Sequence, residues 1–194
     1  MTPLSHRGRG RGRGLNVNDE IGALSARYGR PAFVTEHLPA GSFSPLASPR
    51  TGEVAMVILR GNGRILLNTK GIYPEGVYRI PTGGIKPGEP VEAALLRETA
   101  EETNLDVAVA RFLAVITYHA PERTVPFTTY AFLLRETGGE LKVNDPDEGI
   151  TGWREVPASD LAGLAAHLAG LEGDWRGWGA FRSVVHRVAG GLLS

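Results

Sequence analysis

The chain has no cysteine, which excludes disulfides, a thiol nucleophile and a thiolate-held zinc. Its five histidines show no paired ligand spacing, so they offer no histidine metal site either. Long apolar runs are also missing. Spanning a bilayer takes roughly 18 apolar residues, and the longest candidate, LAGLAAHLAGL from Leu161, is short and interrupted by His167. Membrane insertion is therefore not expected. The basic N-terminus is not followed by the apolar segment of a secretory signal, because Asn16, Asn18, Asp19 and Glu20 come next, and a cytoplasmic location is the expectation. With 42% hydrophobic and 22% charged residues among 194, the composition is that of a soluble globular chain: one domain with a buried core, plus tails.

Net charge is zero, with 21 basic and 21 acidic residues, but the charge is unevenly placed. Residues 6–14, HRGRGRGRG, alternate Arg7, Arg9, Arg11 and Arg13 with glycine and hold nothing apolar to bury, so residues 1–14 are predicted to be a disordered arm. Setting aside its four arginines leaves 17 basic residues against 21 acidic ones. Such an arm offers weak phosphate contacts to nucleic acid. It has no interleaved aromatics, which favours a solubilising tail.

Residues 15–50 read as an extension. Asn18 can cap a helix running to Tyr28, with Ile21, Leu24 and Tyr28 on one face; the strand AFVTEHL follows, then a loop containing Pro39, Gly41, Pro45 and Pro49. Residues 51–165 read as the main domain. EVAMVILRGNGRILLN is a hairpin signal about Gly61, Asn62 and Gly63, and VYRIP leads onward. DVAVARFLAVITY and VPFTTYAFLLRE read as long strands, Gly138 and Gly139 as a turn, and LKVN and ITGWREV as shorter strands. Helical patterns finish the chain from Ser159 to about Leu168, then through Trp178, Phe181, Val185 and Val188. Residues 166–194 are thus expected to form a C-terminal helix packed on the domain. The order predicts an α/β fold with a mixed sheet between helices.

The chemistry concentrates in residues 83–105, GGIKPGEPVEAALLRETAEETNL. Pro81, Gly83, Gly84, Pro87 and Gly88 form a turn-rich loop, and Pro90 suits the first turn of a helix reaching about Thr103. Glu98, Glu101 and Glu102 stand at i, i+3 and i+4 and share one face. Like charges at that spacing repel by a few tenths of a kcal/mol, and carboxylates in a last turn oppose the helix dipole at about the same cost. A solvated acidic surface with Arg97 paired to Glu101 is the plain alternative. A glycine loop, a helix and an acidic cluster in fixed register point instead to Mg²⁺ or Mn²⁺, which take oxygen ligands and share them with substrate phosphates.

This segment resembles the Nudix box of the Nudix hydrolases. Gly83, Glu89, Arg97, Glu98, Glu101, Glu102 and Leu105 fall on the family pattern without a gap. Three positions depart from it: Thr99 replaces an aliphatic residue, Asn104 replaces a glycine, and Thr82 stands where many relatives have glycine. Asn tolerates the left-handed conformation, so the turn at Asn104 is expected to persist.

The resemblance implies a Nudix-type α/β/α sandwich and Mg²⁺- or Mn²⁺-dependent hydrolysis of a diphosphate linkage in a nucleoside diphosphate derivative. It implies Glu98, Glu101 and Glu102 as metal ligands, Arg97 as the residue that orients a box glutamate, and Gly83, Gly84 and Glu89 as cofactor-binding, with Glu89 bracing the loop or joining the outer metal shell. Relatives often draw a further acid from a loop before a tryptophan-bearing strand; Asp145, Asp147 and Glu148 precede Trp153, and Glu148 is the expected base. His119 is placed near the substrate cleft, with a surface or core role favoured over a catalytic one. Pro121 lies 16 residues past Leu105, where the family associates a proline with ADP-ribose hydrolysis, so ADP-ribose or a nucleotide sugar is the leading substrate class. Nucleoside triphosphates, dinucleoside polyphosphates and RNA ends are the alternatives, with a non-catalytic nucleotide-binding module behind them. A homodimer through the extension is a further expectation.

Overall fold

The structure, a computed structural model, describes residues 17–43, 50 and 52–194. The Arg-Gly arm, and with it the expected nucleic-acid contact through residues 6–14, lies outside the described residues, as do residues 44–49 of the proline-rich loop.

Seven strands form one mixed sheet in the order β1 (Ala32–His37), β5 (Leu105–His119), β6 (Phe127–Gly139), β2 (Gly52–Leu59), β3 (Ile65–Lys70) and β7 (Ile150–Val156), with the short β4 (Thr82–Gly84) set against β2. β1 runs parallel to β5 and β2 parallel to β6; the other pairings are antiparallel. Strand β2 alternates across the sheet, so its two sets of side chains feed two cores. Val54, Met56 and Ile58 pack with Leu24 of α1 (Val17–Tyr28) and with Val91, Ala94 and Leu95 of α2 (Val91–Thr103). Ala55 and Val57 pack with Leu161 of α3 (Leu161–Ala169) and with Phe181, Val184 and Val185 of α4 (Arg176–Leu193). Helices therefore cover both faces, which is the expected α/β/α sandwich. Among the described residues no helix is long and apolar enough to cross a membrane.

Three local expectations change. The glycine turn after β2 forms, with Gly63 at φ 80°, but the strands share only the Leu59–Ile65 pair before they part. β3 goes on to β7 while β2 is taken by β6 and β4, because buried pairing on both sides of β2 outweighs a local hairpin. Gly138 and Gly139 do not turn the chain; they end β6 opposite Asp106 and Leu105. LKVN is not a strand. Its backbone instead caps α2: Lys142 N–H donates to the Thr103 carbonyl at 3.1 Å, and Asn144 and Asp145 N–H to the Glu101 carbonyl at 3.0 and 3.2 Å. The last carbonyls of a helix have no partner within it, and this segment satisfies them.

Candidate active site

Two elements converge on the acidic cluster. Glu98 and Glu102 stand one turn apart on the buried side of α2. The segment that caps α2 continues into a short 3₁₀ turn, Pro146–Glu148, which delivers Glu148. Carboxylate oxygens of Glu98, Glu102 and Glu148 then lie within 4.8 Å of one another. The capping of α2 is thus also what carries Glu148 to the helix.

Glu101 faces elsewhere. Arg97 Nη1 donates to Glu101 Oε2 at 2.8 Å, the i, i+4 pair, and to Glu98 Oε1 at 2.7 Å. Arg97 also grips Glu89 with two bonds of 2.7 Å and donates to the Gly84 carbonyl at 3.0 Å. Its fork therefore ties the glycine loop to the helix and aims Glu98. The hydrogen bonds from Arg97, helped by the Lys86 N–H, hold Glu89 down to about 2 against partial burial. Gly83 has no alternative here, since a Cβ at that position would collide with the Glu98 carboxylate.

Glu102 is completely buried, held by Asn68 Nδ2 at 3.3 Å and with Lys70 Nζ at 3.7 Å. That separation is an ion pair but too long for a hydrogen bond, and among the described residues Glu102 Oε1 has no hydrogen-bond partner. Burial pushes Glu102 up to about 7, against the charges of Arg79 and Lys70. Burial also raises Glu98, opposed by Arg97. Glu148 moves the other way: burial would raise it, but Lys70 Nζ at 2.8 Å and the neighbouring charges bring it below the usual carboxylate range. The three carboxylates are therefore unequal, with Glu148 ionised and Glu102 about half-protonated at pH 7.

A buried carboxylate oxygen without a donor, beside two further carboxylates, suits a hard cation that accepts oxygen ligands. The donor set contains only oxygens, which fits Mg²⁺ or Mn²⁺ better than a softer metal.

Residues 49–174 match the NUDIX domain. The chain belongs to the Nudix family. It is 35% identical over 91 residues to an ADP-ribose pyrophosphatase of Methanocaldococcus jannaschii, covering 46% of this chain and 53% of that protein. It is 28% identical over 116 residues to an NAD-capped RNA hydrolase of Chromobacterium violaceum, covering 60% of this chain and 42% of that protein. An RNA pyrophosphohydrolase of Roseobacter denitrificans is 28% identical over 123 residues, covering 56% of this chain and 77% of that protein. The chain spans less than half the length of the NAD-capped RNA hydrolase.

The places where this Nudix chain departs from the box pattern are explained by their neighbours. Thr99 is buried, and its hydroxyl donates to the Leu95 carbonyl at 2.7 Å, so a polar residue is tolerated where an aliphatic one is usual. Asn104 closes α2 in the left-handed conformation at φ 53°, as expected. Thr82 accepts from two guanidinium groups, Arg79 at 3.0 Å and Arg182 at 3.1 Å. Arg182 of α4 also holds Glu53 with bonds of 2.8 and 2.9 Å, and Thr129 donates to Glu53 at 2.9 Å. One turn further along α4, fully buried His186 accepts the Ile80 N–H at 2.9 Å through Nε2, which leaves Nδ1 to donate to the Arg182 carbonyl at 2.9 Å. Helix α4 thereby fixes the strand that leads into the box.

Lys70, Asn68, Arg79, Thr82, Arg182 and His186 all shape this Nudix site, and apart from Thr82 none was marked by a motif. Apart from the Arg79–Thr82 bond, the partners that bring them to the site lie far off in sequence, from Glu102 to the C-terminal helix.

Proposed function

We propose that the protein is a Mg²⁺- or Mn²⁺-dependent pyrophosphohydrolase that cleaves a diphosphate linkage in a nucleoside diphosphate derivative. The observation that carries this reading is the Glu98–Glu102–Glu148 group, with a buried Glu102 oxygen that lacks a donor. Glu98 and Glu102 would hold the ion. When bound, the ion supplies charge neutralisation for a diphosphate and eases deprotonation of an attacking water.

The chain's own residues have separate tasks. Arg97 fixes the Glu98 carboxylate and the glycine loop together, so the loop backbone of Gly83 and Gly84 meets the substrate in a set position. Glu148, kept ionised by Lys70, takes the proton of the attacking water. Glu89 braces Arg97, and Glu101 acts through Arg97, to which it is bonded. ADP-ribose or a nucleotide sugar is the leading substrate class; the relative named as an ADP-ribose pyrophosphatase and the position of Pro121 support it. Hydrolysis at an RNA 5′ end is the second reading, favoured by the relative named as an RNA pyrophosphohydrolase.

The test is a Mg²⁺-dependent screen of ADP-ribose, nucleotide sugars, nucleoside triphosphates, dinucleoside polyphosphates and 5′-triphosphate RNA, with products identified. Release of AMP from ADP-ribose is expected. An absence of hydrolysis across the whole panel overturns the enzyme reading.

A further inference from the structure

A cleft of about 570 Å³ opens where β1 and β5 end, lined by His37, His119, Arg123 and Thr124 over buried Leu38 and Ala120. His37 and His119 are register partners on parallel strands, and their rings stack at 5.1 Å with 19° between planes. Among the described residues no carboxylate lines this cleft. The acids nearest in sequence are engaged elsewhere: Glu122 accepts the Phe43 N–H at 2.9 Å, and Glu36 pairs with Arg187 at 2.6 Å.

Arg123 is the decisive group. Its guanidinium lies over the rings of Phe43 and Phe127, at 5.0 and 5.3 Å from their centroids. It donates to two carbonyls, Val125 at 3.2 Å and Arg50 at 3.0 Å, and among the described residues it forms no ion pair. Its position is held by neutral partners while its charge stays unbalanced. An arginine fork fixed in this way, beside two imidazoles, is suited to an oxyanion.

The cleft also connects to the site. Arg123 bonds the Arg50 carbonyl, and the Arg50 side chain fills the space that a Cβ would take at Gly84. The Gly84 carbonyl in turn accepts from Arg97. Gly84 pairs with Glu53 at the start of β2, and Gly52 pairs with Thr128 just after the loop that holds Arg123, so cleft and box share one end of the sheet.

We propose that this cleft is a second anion subsite, which binds a phosphoryl group carried by the nucleotide. The choice of phosphate among anions rests on the hydrolase reading; the site itself does not. The experiment is calorimetric titration of the metal-free protein with AMP and with inorganic phosphate, repeated on Arg123→Leu and Thr124→Glu. The leucine keeps an apolar group on Phe43 and Phe127, and Thr124→Glu places a carboxylate in the cleft without disturbing that stacking. Affinity for AMP is expected to fall tenfold or more in both variants, with thermal melting of Thr124→Glu unchanged. AMP binding that matches the wild type in Thr124→Glu overturns the proposal, as does wild-type AMP affinity no tighter than that of phosphate. Hydrolysis is read separately: Thr124→Glu is expected to raise KM about tenfold while kcat is kept. If the substrate screen finds no hydrolysis and AMP binding is still lost in the variants, the enzyme reading fails and the subsite stands.

Discussion

At the scale of single residues, three glutamates of one site follow three different rules because their surroundings differ. Glu102 has no exposure and is driven toward neutrality, with a folded-state pKa of about 7 against 4.5 for an ordinary glutamate. Its ionisation favours the unfolded chain, so stability present below pH 4.5 is lost as pH rises through 7. Glu102→Gln is therefore expected to stabilise the metal-free protein at pH 8 and to leave it unchanged near pH 4, as read from urea midpoints. The same variant is expected to lower turnover by two or more orders of magnitude, because a proposed holder of the ion is gone. Glu101, bonded to Arg97 and half-exposed, supports the site only indirectly. Glu101→Gln is expected to cost about tenfold or less in rate; a loss equal to that of Glu102→Gln would place Glu101 among the ligands. Glu148→Gln separates proton transfer from metal holding. It is expected to cut kcat by about 10² or more, while Mg²⁺ affinity falls less than in Glu102→Gln. Equal losses of affinity would make Glu148 a ligand and leave the base to another group.

At the scale of elements, the feature that matters most is the attachment of α4 to the strand entering the box. His186 is held down to about 4, chiefly by burial and with help from the charges of Arg79 and Arg182. Its protonation favours the unfolded chain, where the value is 6.5, so the stability it contributes is full above pH 6.5 and is lost as pH falls toward 4. His186→Ala leaves the Ile80 N–H without its acceptor, which costs about 1–3 kcal/mol at pH 7.5 before any cavity is counted. The gap between wild type and variant is expected to narrow by pH 4.5; an equal gap at both pH values refutes the neutral-histidine assignment. None of this attachment was visible in the sequence, where residues 176–193 showed only an apolar stripe. The box helix, β1, β5, β6 and β7 were readable because their signals are local: capping, alternation and the spacing of acids. LKVN was misread because its N–H groups are taken by the end of α2, a partner that alternation does not reveal. Glu148, which lies beside Glu98 and Glu102, was singled out by the family resemblance, whereas Lys70, which keeps it ionised, had no such marker.

At the scale of the whole molecule, the proposed ion binding would be linked to proton binding and folding through one buried carboxyl group. A cation held by Glu98 and Glu102 must displace the proton that Glu102 carries near neutrality, so affinity is expected to rise as pH passes through about 7. A ligand that binds only the folded state stabilises it by about 2.7 kcal/mol at a hundredfold excess over Kd. Millimolar Mg²⁺ is accordingly expected to raise the melting temperature at pH 8 by several degrees, with a smaller rise at pH 6, and chelation with EDTA should reverse both. The same ion should restore the stability lost through Glu102 ionisation, so the decline expected between pH 4.5 and 7 in the metal-free protein should flatten. Glu102→Gln, which has neither the proton nor the charge, should show little Mg²⁺ stabilisation at either pH. A melting temperature that ignores Mg²⁺ at pH 8 would mean that the buried trio holds no ion, and the unpartnered Glu102 oxygen would then need another occupant.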